Sequence, residues 1–338
     1  MTNPSSPAST HSHAAYAGII LIVVASLLWS LNGALIKLVS DEGRGPGGVA
    51  IACYRSLVGG LFLLPIAWHR CRTRPGAAAV LTRPSALWCV VFFTLMTLCF
   101  VMANTMTQAA SVIVLQYTST FWIFGLSPLL LKEKPRSSDF WILGLALVGI
   151  VVIVFGPSVS AQWTIDGTPI SEAASVSVPA APGGTLPGMG VALASGLFYA
   201  LLTLMIRRLR DADPATVTVM NNLGSAVLLF PLLLAVGGLS LSTRSLWLLI
   251  FMGIVQFGLP YYLYTLGLAR IPAYQAALIT LLEPVLVPVW AVLVIGQSEM
   301  PPVWTIVGGG VILFALLLFV NAARQPNRAA TVRERTDL

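Results

Sequence analysis

Ten apolar runs recur along this chain, at about 17–39, 47–68, 86–105, 109–130, 138–156, 188–208, 214–235, 245–266, 272–295 and 303–321. Each is long enough for an α-helix, rising about 1.5 Å per residue, to cross roughly 30 Å of hydrocarbon. In lipid every backbone N–H and C=O must find its partner within the segment, so runs of this length are helices. The alternating ten-residue strands of an outer-membrane barrel are absent. Composition agrees, because 57% of the residues are hydrophobic and only 9% are charged. Soluble domains carry about a quarter charged residues. The expected fold is an all-α integral membrane protein with ten transmembrane helices.

A net charge of +7 raises the question of nucleic acid, and the placement of the bases answers it. Arg70, Arg72, Arg74, Arg83, Lys132, Lys134, Arg136, Arg207, Arg208, Arg210 and Arg270 fall in alternate loops, and Arg324, Arg328, Arg333 and Arg335 in the tail. Lys37, Arg44 and Arg244 fall toward the opposite side, and Arg55 lies within the second run. This asymmetry is the signature of a multi-pass protein of the inner or plasma membrane with both termini cytoplasmic, not of a nucleic-acid binder. Cys53, Cys71, Cys89 and Cys99 show no metal or redox spacing, so core packing is expected. No zinc-protease, nucleophile-elbow or acidic-pair motif points to a membrane enzyme. No filter loop or charge ring points to a channel. An enzyme and a non-transporting scaffold are the alternative readings to transport. No cofactor or metal is expected.

The second structural signal is an internal repeat. Shifted by 164 residues, Thr107–Gly156 and Ile271–Val320 share an apolar run, a polar break and a second apolar run. The matched identities are Ala109/Ala273, Leu129/Leu293, Ile142/Ile306, Gly144/Gly308 and Phe155/Phe319. A shift of 170 pairs Gly18 with Gly188, Leu27 with Leu197, Trp29 with Tyr199 and Asp41 with Asp211. An odd number of crossings per repeat inverts the second copy, so two inverted five-helix repeats are expected. The boundaries are a disordered cytoplasmic leader 1–16, repeats 17–156 and 188–321, an external linker 157–187 rich in Ala, Ser, Pro and Gly, and a basic cytoplasmic tail 322–338.

Within this frame a few polar residues stand out. Glu283 lies about eleven residues into the ninth run, near mid-bilayer at roughly 16 Å depth. A carboxylate there faces the bundle interior or a water-filled cavity, because facing lipid costs about 3 kcal/mol or more. Two roles stay open: binding a proton or substrate, or a hydrogen bond to backbone freed by Pro284. Pro284 and Pro288 are expected to kink the helix. Thr280 shares the face of Glu283, and the repeat sets Gln116 and Ser119 opposite the pair. Arg55 either snorkels outward, pairs with a carboxylate or binds an anionic group. Trp29 and Asn32 share one face of the first helix. Tyr199, Gln256, Tyr261, Tyr262 and Tyr264 offer stacking and hydrogen bonds. Gly188, Ala192 and Gly196 suit close helix packing, as do Gly308–Gly310.

Taken in order, several of these residues resemble the drug/metabolite transporter superfamily, specifically its EamA type. They are Trp29-Ser30-Leu31-Asn32 ahead of Lys37, Arg55, Lys132-Glu133, Ala269-Arg270-Ile271-Pro272-Ala273 and Leu282-Glu283-Pro284. The likeness covers about residues 17–321. It implies two five-helix EamA repeats and secondary transport, most often export of small metabolites, amino acids or toxic compounds. It also implies that helices one to four and six to nine line a cavity while five and ten lie outside it. The family pattern closes its fourth and ninth helices with Gly-Glu. This chain has Lys132-Glu133 in one repeat and Gly296-Gln297, with Glu299 beyond, in the other; Thr120 stands where a proline is common. The partners implied are a small-molecule substrate and the lipid bilayer. A homodimer through helices five or ten is compatible with the pattern.

Overall fold

The computed structural model describes residues 7–40, 46–74, 76–106, 109–160, 186–295 and 303–324, and all regular structure within them is helical. Six of the sequence runs are single α-helices: α3 (Gly48–Thr73), α4 (Pro84–Met106), α7 (Ser137–Ser160), α8 (Leu186–Arg208), α9 (Pro214–Ala235) and α14 (Val303–Arg324). The first is split into α1 (Pro7–Trp29) and α2 (Asn32–Ser40), the fourth into α5 (Ala109–Gln116) and α6 (Ser119–Leu130), and the ninth into α12 (Ala273–Thr280) and α13 (Glu283–Ile295). The eighth passes from α10 (Thr243–Phe251) through a π-helical turn, Met252–Gly258, into α11 (Leu259–Leu268). Five helices are long and apolar enough to cross a membrane, and the other five runs hold shorter apolar helices. Large apolar side chains such as Val227, Phe230 and Trp141 are exposed on the surface, where lipid is their natural solvent.

The simple kink expected at Pro284 is instead a full break two residues earlier. Pro284 has no N–H to return to the Thr280 carbonyl, and proline is tolerated in the first turn of the helix that follows. The Leu281 and Leu282 amides turn back in tight three-residue steps to Leu278 (3.2 Å) and Ile279 (3.0 Å). The other repeat breaks at the equivalent place without a proline. There the Thr118 amide reaches Leu115 (3.2 Å), and its hydroxyl donates to the same carbonyl (2.6 Å), a local bond that competes with the helix. Helix α1 begins at Pro7, where proline suits a first helical position. The greater part of the linker, 161–185, and the tail from 325 lie outside the described residues, as do Arg44 and the side chain of Lys37.

One unit of the fold comprises Met1–Lys134 and Ser177–Met300. Its packing exchanges the two repeats. Helix α3 packs on its own counterpart α9, the broken helices of the two repeats meet through α6 and α12, and α4 on α8 is mirrored by α1 on α11. Counterparts run antiparallel. The Cys53 thiol meets the Ala226 carbonyl at 3.6 Å, Gly60 faces Leu223 and the Cys71 thiol meets the Thr216 hydroxyl at 3.6 Å. Partner numbers therefore fall as α3 rises, which is the inversion the odd helix count requires. Equivalent glycines serve equivalent contacts: Gly18 lies against Gly267 and Ile271, and Gly188 against Met106. The second unit, Pro135–Val176 with Pro301–Leu338, is built on α7 and α14. A Cβ on Gly149 would sit 2.7 Å from the Gly308 carbonyl, so bare backbone is what lets these helices touch. All four cysteines are free thiols, with Cys53 and Cys89 buried.

Candidate functional site

The helix breaks, the π turn and α3 converge on one cavity in the first unit. It is lined by Trp29, Asn32, Arg55, Met96, Thr97, Phe100, Gln116, Tyr117, Ser119, Tyr199, Gln256, Phe257, Tyr261, Thr280 and Glu283. Its volume open to the centre of a water molecule is about 60 Å³, room for about four waters at 10–15 Å³ each.

Its acidic wall comes from the two broken helices. Gln116 ends α5 and Ser119 begins α6, while Thr280 ends α12 and Glu283 begins α13. Each repeat thus brings one half-helix end and one half-helix start to the same place. Glu283 occupies the first turn of α13, where the N-terminal end of the helix dipole favours a negative group. The Tyr117 hydroxyl interacts with its carboxyl, though without a hydrogen bond of good geometry. Gln116 donates weakly to the Ser195 hydroxyl at 3.5 Å. Gly196, one residue on, lets α8 press against this break, since a Cβ there would lie 2.9 Å from the Gln116 carbonyl.

The basic wall is Arg55. Its Nη1 donates to Asn32 Oδ1 (3.0 Å) and Gln256 Oε1 (3.1 Å). Arginine only donates, so both amides must present their oxygens. The guanidinium lies 4.8 Å from the centre of the Phe257 ring. Snorkelling is ruled out, because the residue is only 2% exposed. The π turn delivers two of these partners: a wider turn changes which side chains share a face, so Gln256 and Phe257 both reach Arg55. Gly253 and Gly258 make that turn fit, lying against Val58 and Gly59.

An aromatic cluster closes the remaining side. The Trp29 ring centre lies 4.9 Å from Tyr261, 5.1 Å from Tyr264 and 6.4 Å from Tyr199. The Tyr264 hydroxyl is bonded to Thr203 at 3.0 Å. Trp29 and Tyr199, equivalent in the repeats, therefore meet face to edge at the cavity.

Ten residues singled out from the sequence line this cavity: Glu283, Thr280, Gln116, Ser119, Trp29, Asn32, Arg55, Tyr199, Gln256 and Tyr261. Tyr262 does not. Its hydroxyl accepts from Arg70 at 3.4 Å, in the cluster where Arg70 also pairs with Asp213 at 3.0 Å. The lining residues that sequence reasoning missed are Met96, Thr97, Phe100, Tyr117 and Phe257. Only Thr97 left a trace: aligning Leu87-Trp88 with Leu246-Trp247 sets it opposite Gln256.

Beyond the cavity, at the end of the bundle carrying the basic loops, the repeats are tied by charge. Glu133 accepts from Arg207 Nε at 2.6 Å and lies 3.8 Å from Arg210. Its other oxygen accepts from the Ala273 backbone N–H at 3.0 Å, capping α12. Arg207 also donates to the Leu268 carbonyl at 2.6 Å, and Arg83 pairs with Asp211 at 2.7 Å. These pairs and Arg70–Asp213 each join one repeat to the other at this end. Lys132, where the family pattern has glycine, takes φ +59°, the left-handed conformation glycine adopts freely.

Comparison with known proteins bears on the same residues. The sequence profile of the EamA-like transporter family matches twice, over residues 16–155 and 186–321. The chain is 26% identical over 321 residues to an uncharacterized transporter, YwfM, of Bacillus subtilis strain 168, covering 92% of this chain and 96% of that one. A solved structure described as "Crystal structure of protein" superposes with a TM-score of 0.71 at 17% identity, covering 92% of this chain and 99% of that one; it shares the fold. With two matched repeats spanning most of its length, this multi-pass membrane protein belongs to the EamA-like transporter family.

Proposed function

We propose that the protein is a secondary transporter that exports a small organic solute across the plasma membrane by alternating access, with ten crossings and both termini in the cytoplasm. The observation that carries this reading is the cavity itself. Equivalent half-helix ends from two antiparallel repeats meet there, around one buried cation and one carboxyl group. Two packings of such a pair interconvert by exchanging the roles of the repeats. The ion pairs at the basic end belong to the state in which the cytoplasmic side is closed. Glu283 makes no ion pair among the described residues, and it shares the cavity with Tyr117, Tyr199, Tyr261 and Arg55. It is the group that takes up and releases the coupling proton.

Proteoliposomes loaded in turn with organic acids, amino acids and amines test this directly. Saturable counterflow of at least one class is expected. In Glu283→Gln counterflow persists, while accumulation no longer responds to an imposed pH gradient. Unchanged pH-driven accumulation in the mutant removes the proton role, and the absence of counterflow for every class removes the transporter reading.

A further inference from the structure

A buried guanidinium needs an anion, and Arg55 has none. Desolvating a charge costs several kcal/mol unless it is paired, yet no carboxylate reaches ion-pair distance of Arg55 among the described residues. Its partners are two neutral carbonyl oxygens and one ring face. A guanidinium has five N–H donors. Asn32 and Gln256 take the two on Nη1. The Nε–H is buried with no partner, and Nη2 makes no hydrogen bond among the described residues. The guanidinium carbon lies over the Phe257 ring, and the Nε–Nη2 edge is the unused side of a group that lines the cavity. That edge is the fork a carboxylate binds side-on, with two parallel N–H···O bonds. The Thr97 hydroxyl is likewise buried without a partner, and it lines the same cavity.

We propose that the Nε–Nη2 edge of Arg55 receives the carboxylate of a small organic-acid substrate, with Asn32 and Gln256 holding the guanidinium from its opposite edge. The inference rests on reading the cavity as the transport site and names its substrate class. One guanidinium supplies one positive charge, and Glu283 shares the cavity, so a monoanion matches where a phosphate dianion leaves charge uncompensated in a desolvated site. The small volume favours a compact body, and Trp29 and Tyr261 offer it a flat aromatic surface. Asn32 and Gln256 are positioning residues.

The test is thermal stabilisation of the purified protein in detergent, which registers binding without transport. Benzoate is compared with benzamide, benzylamine and phenyl phosphate, and butyrate with butyramide and butylamine; each set differs in charge on one skeleton. At least one carboxylate raises the unfolding temperature, and its amide and amine analogues and phenyl phosphate do not. In Arg55→Gln the affinity for that acid falls about 10- to 100-fold, the worth of charge-assisted bonds, and Arg55→Lys, which keeps the charge but not the fork, falls by about 10-fold. If Arg55→Gln fails to fold, the ligand sets on the unaltered protein decide. The proposal is overturned if neither acid stabilises, if an amide, amine or phosphate does so as strongly, or if a folded Arg55→Gln protein binds the acid unchanged. Counterflow of amines or neutral solutes alongside any of these results would leave the transporter reading standing and remove only the substrate class.

Discussion

Removing the Glu133 carboxylate strands Arg207 inside the protein. The side chains are 12% and 9% exposed and their contact is 2.6 Å, so solvent screens the pair little. Breaking a buried pair from one side costs about 3–5 kcal/mol. Arg207 keeps the Leu268 carbonyl, which places its share at about 3 kcal/mol, and the lost cap on Ala273 adds about 1 kcal/mol. Glu133→Ala is therefore expected to destabilise by about 4 kcal/mol, and Arg207→Ala by about 3 kcal/mol. The double variant loses the same pair only once, so it should also cost about 4 kcal/mol, giving a coupling energy of about 3 kcal/mol. Denaturation in mixed detergent micelles, run on all four proteins, measures the cycle. A coupling below about 0.5 kcal/mol, the range of independent sites, would refute the claim that this contact holds the repeats together.

Two further outcomes follow from local geometry. Lys132→Gly relieves a left-handed backbone at φ +59°. It should stabilise by about 0.5–1 kcal/mol after the added freedom of glycine in the unfolded chain is subtracted; a loss of stability in the same denaturation assay would show that the Lys132 side chain matters more than the strain. At Asp211 the hydrogen bonds from Arg83 hold the carboxyl below its ordinary range. A depressed folded-state pKa stabilises above the unfolded value of about 3.9 and fades as pH falls through the folded value. The pair is exposed, so Asp211→Asn should cost less than about 0.5 kcal/mol near pH 7, with the two stability profiles merging under acid conditions. A gap that widens on acidification contradicts that sign.

The polar part of the site was legible because polarity is rare in an apolar run. Glu283, Thr280, Gln116, Ser119, Asn32, Gln256 and Arg55 each carry a cost in lipid that only an interior position relieves. Tyr117, Phe257, Met96 and Phe100 carry no such cost, so nothing in their surroundings distinguishes a cavity wall from core packing. Tyr262 shows the converse: a tyrosine next to Tyr261 and two residues from Tyr264 turns away, toward Arg70, because successive helical positions face different sides. Break positions were also hidden. Pro284 marks one of them, but the break at Tyr117–Thr118 depends on a threonine hydroxyl bonding its own backbone, a conformation that apolar helices usually resist. The π turn is set by close contact of Gly253 and Gly258 with α3, which no single-segment pattern contains.

The repeats differ where a two-fold arrangement demands it. Counterparts α3 and α9 pack on each other, and the two broken helices, α5–α6 and α12–α13, meet through α6 and α12, so identical charges at equivalent positions would lie close together near the axis and repel in a medium that screens poorly. Aligning Pro65 with Pro231 sets Arg55 opposite Asn221, and the 164-residue shift sets Glu283 opposite Ser119. One repeat supplies the cation, the other supplies the acid, and each counterpart is neutral. The supports follow the same division: Asn32 corresponds to Leu202 and Gln256 to Thr97, so only Arg55 has two amides to aim it. The broken chemical symmetry thus gives the cavity one positive group and one carboxyl group. Under the proposed alternating-access reading, a solute bound there would meet the same two groups in either packing of the repeats.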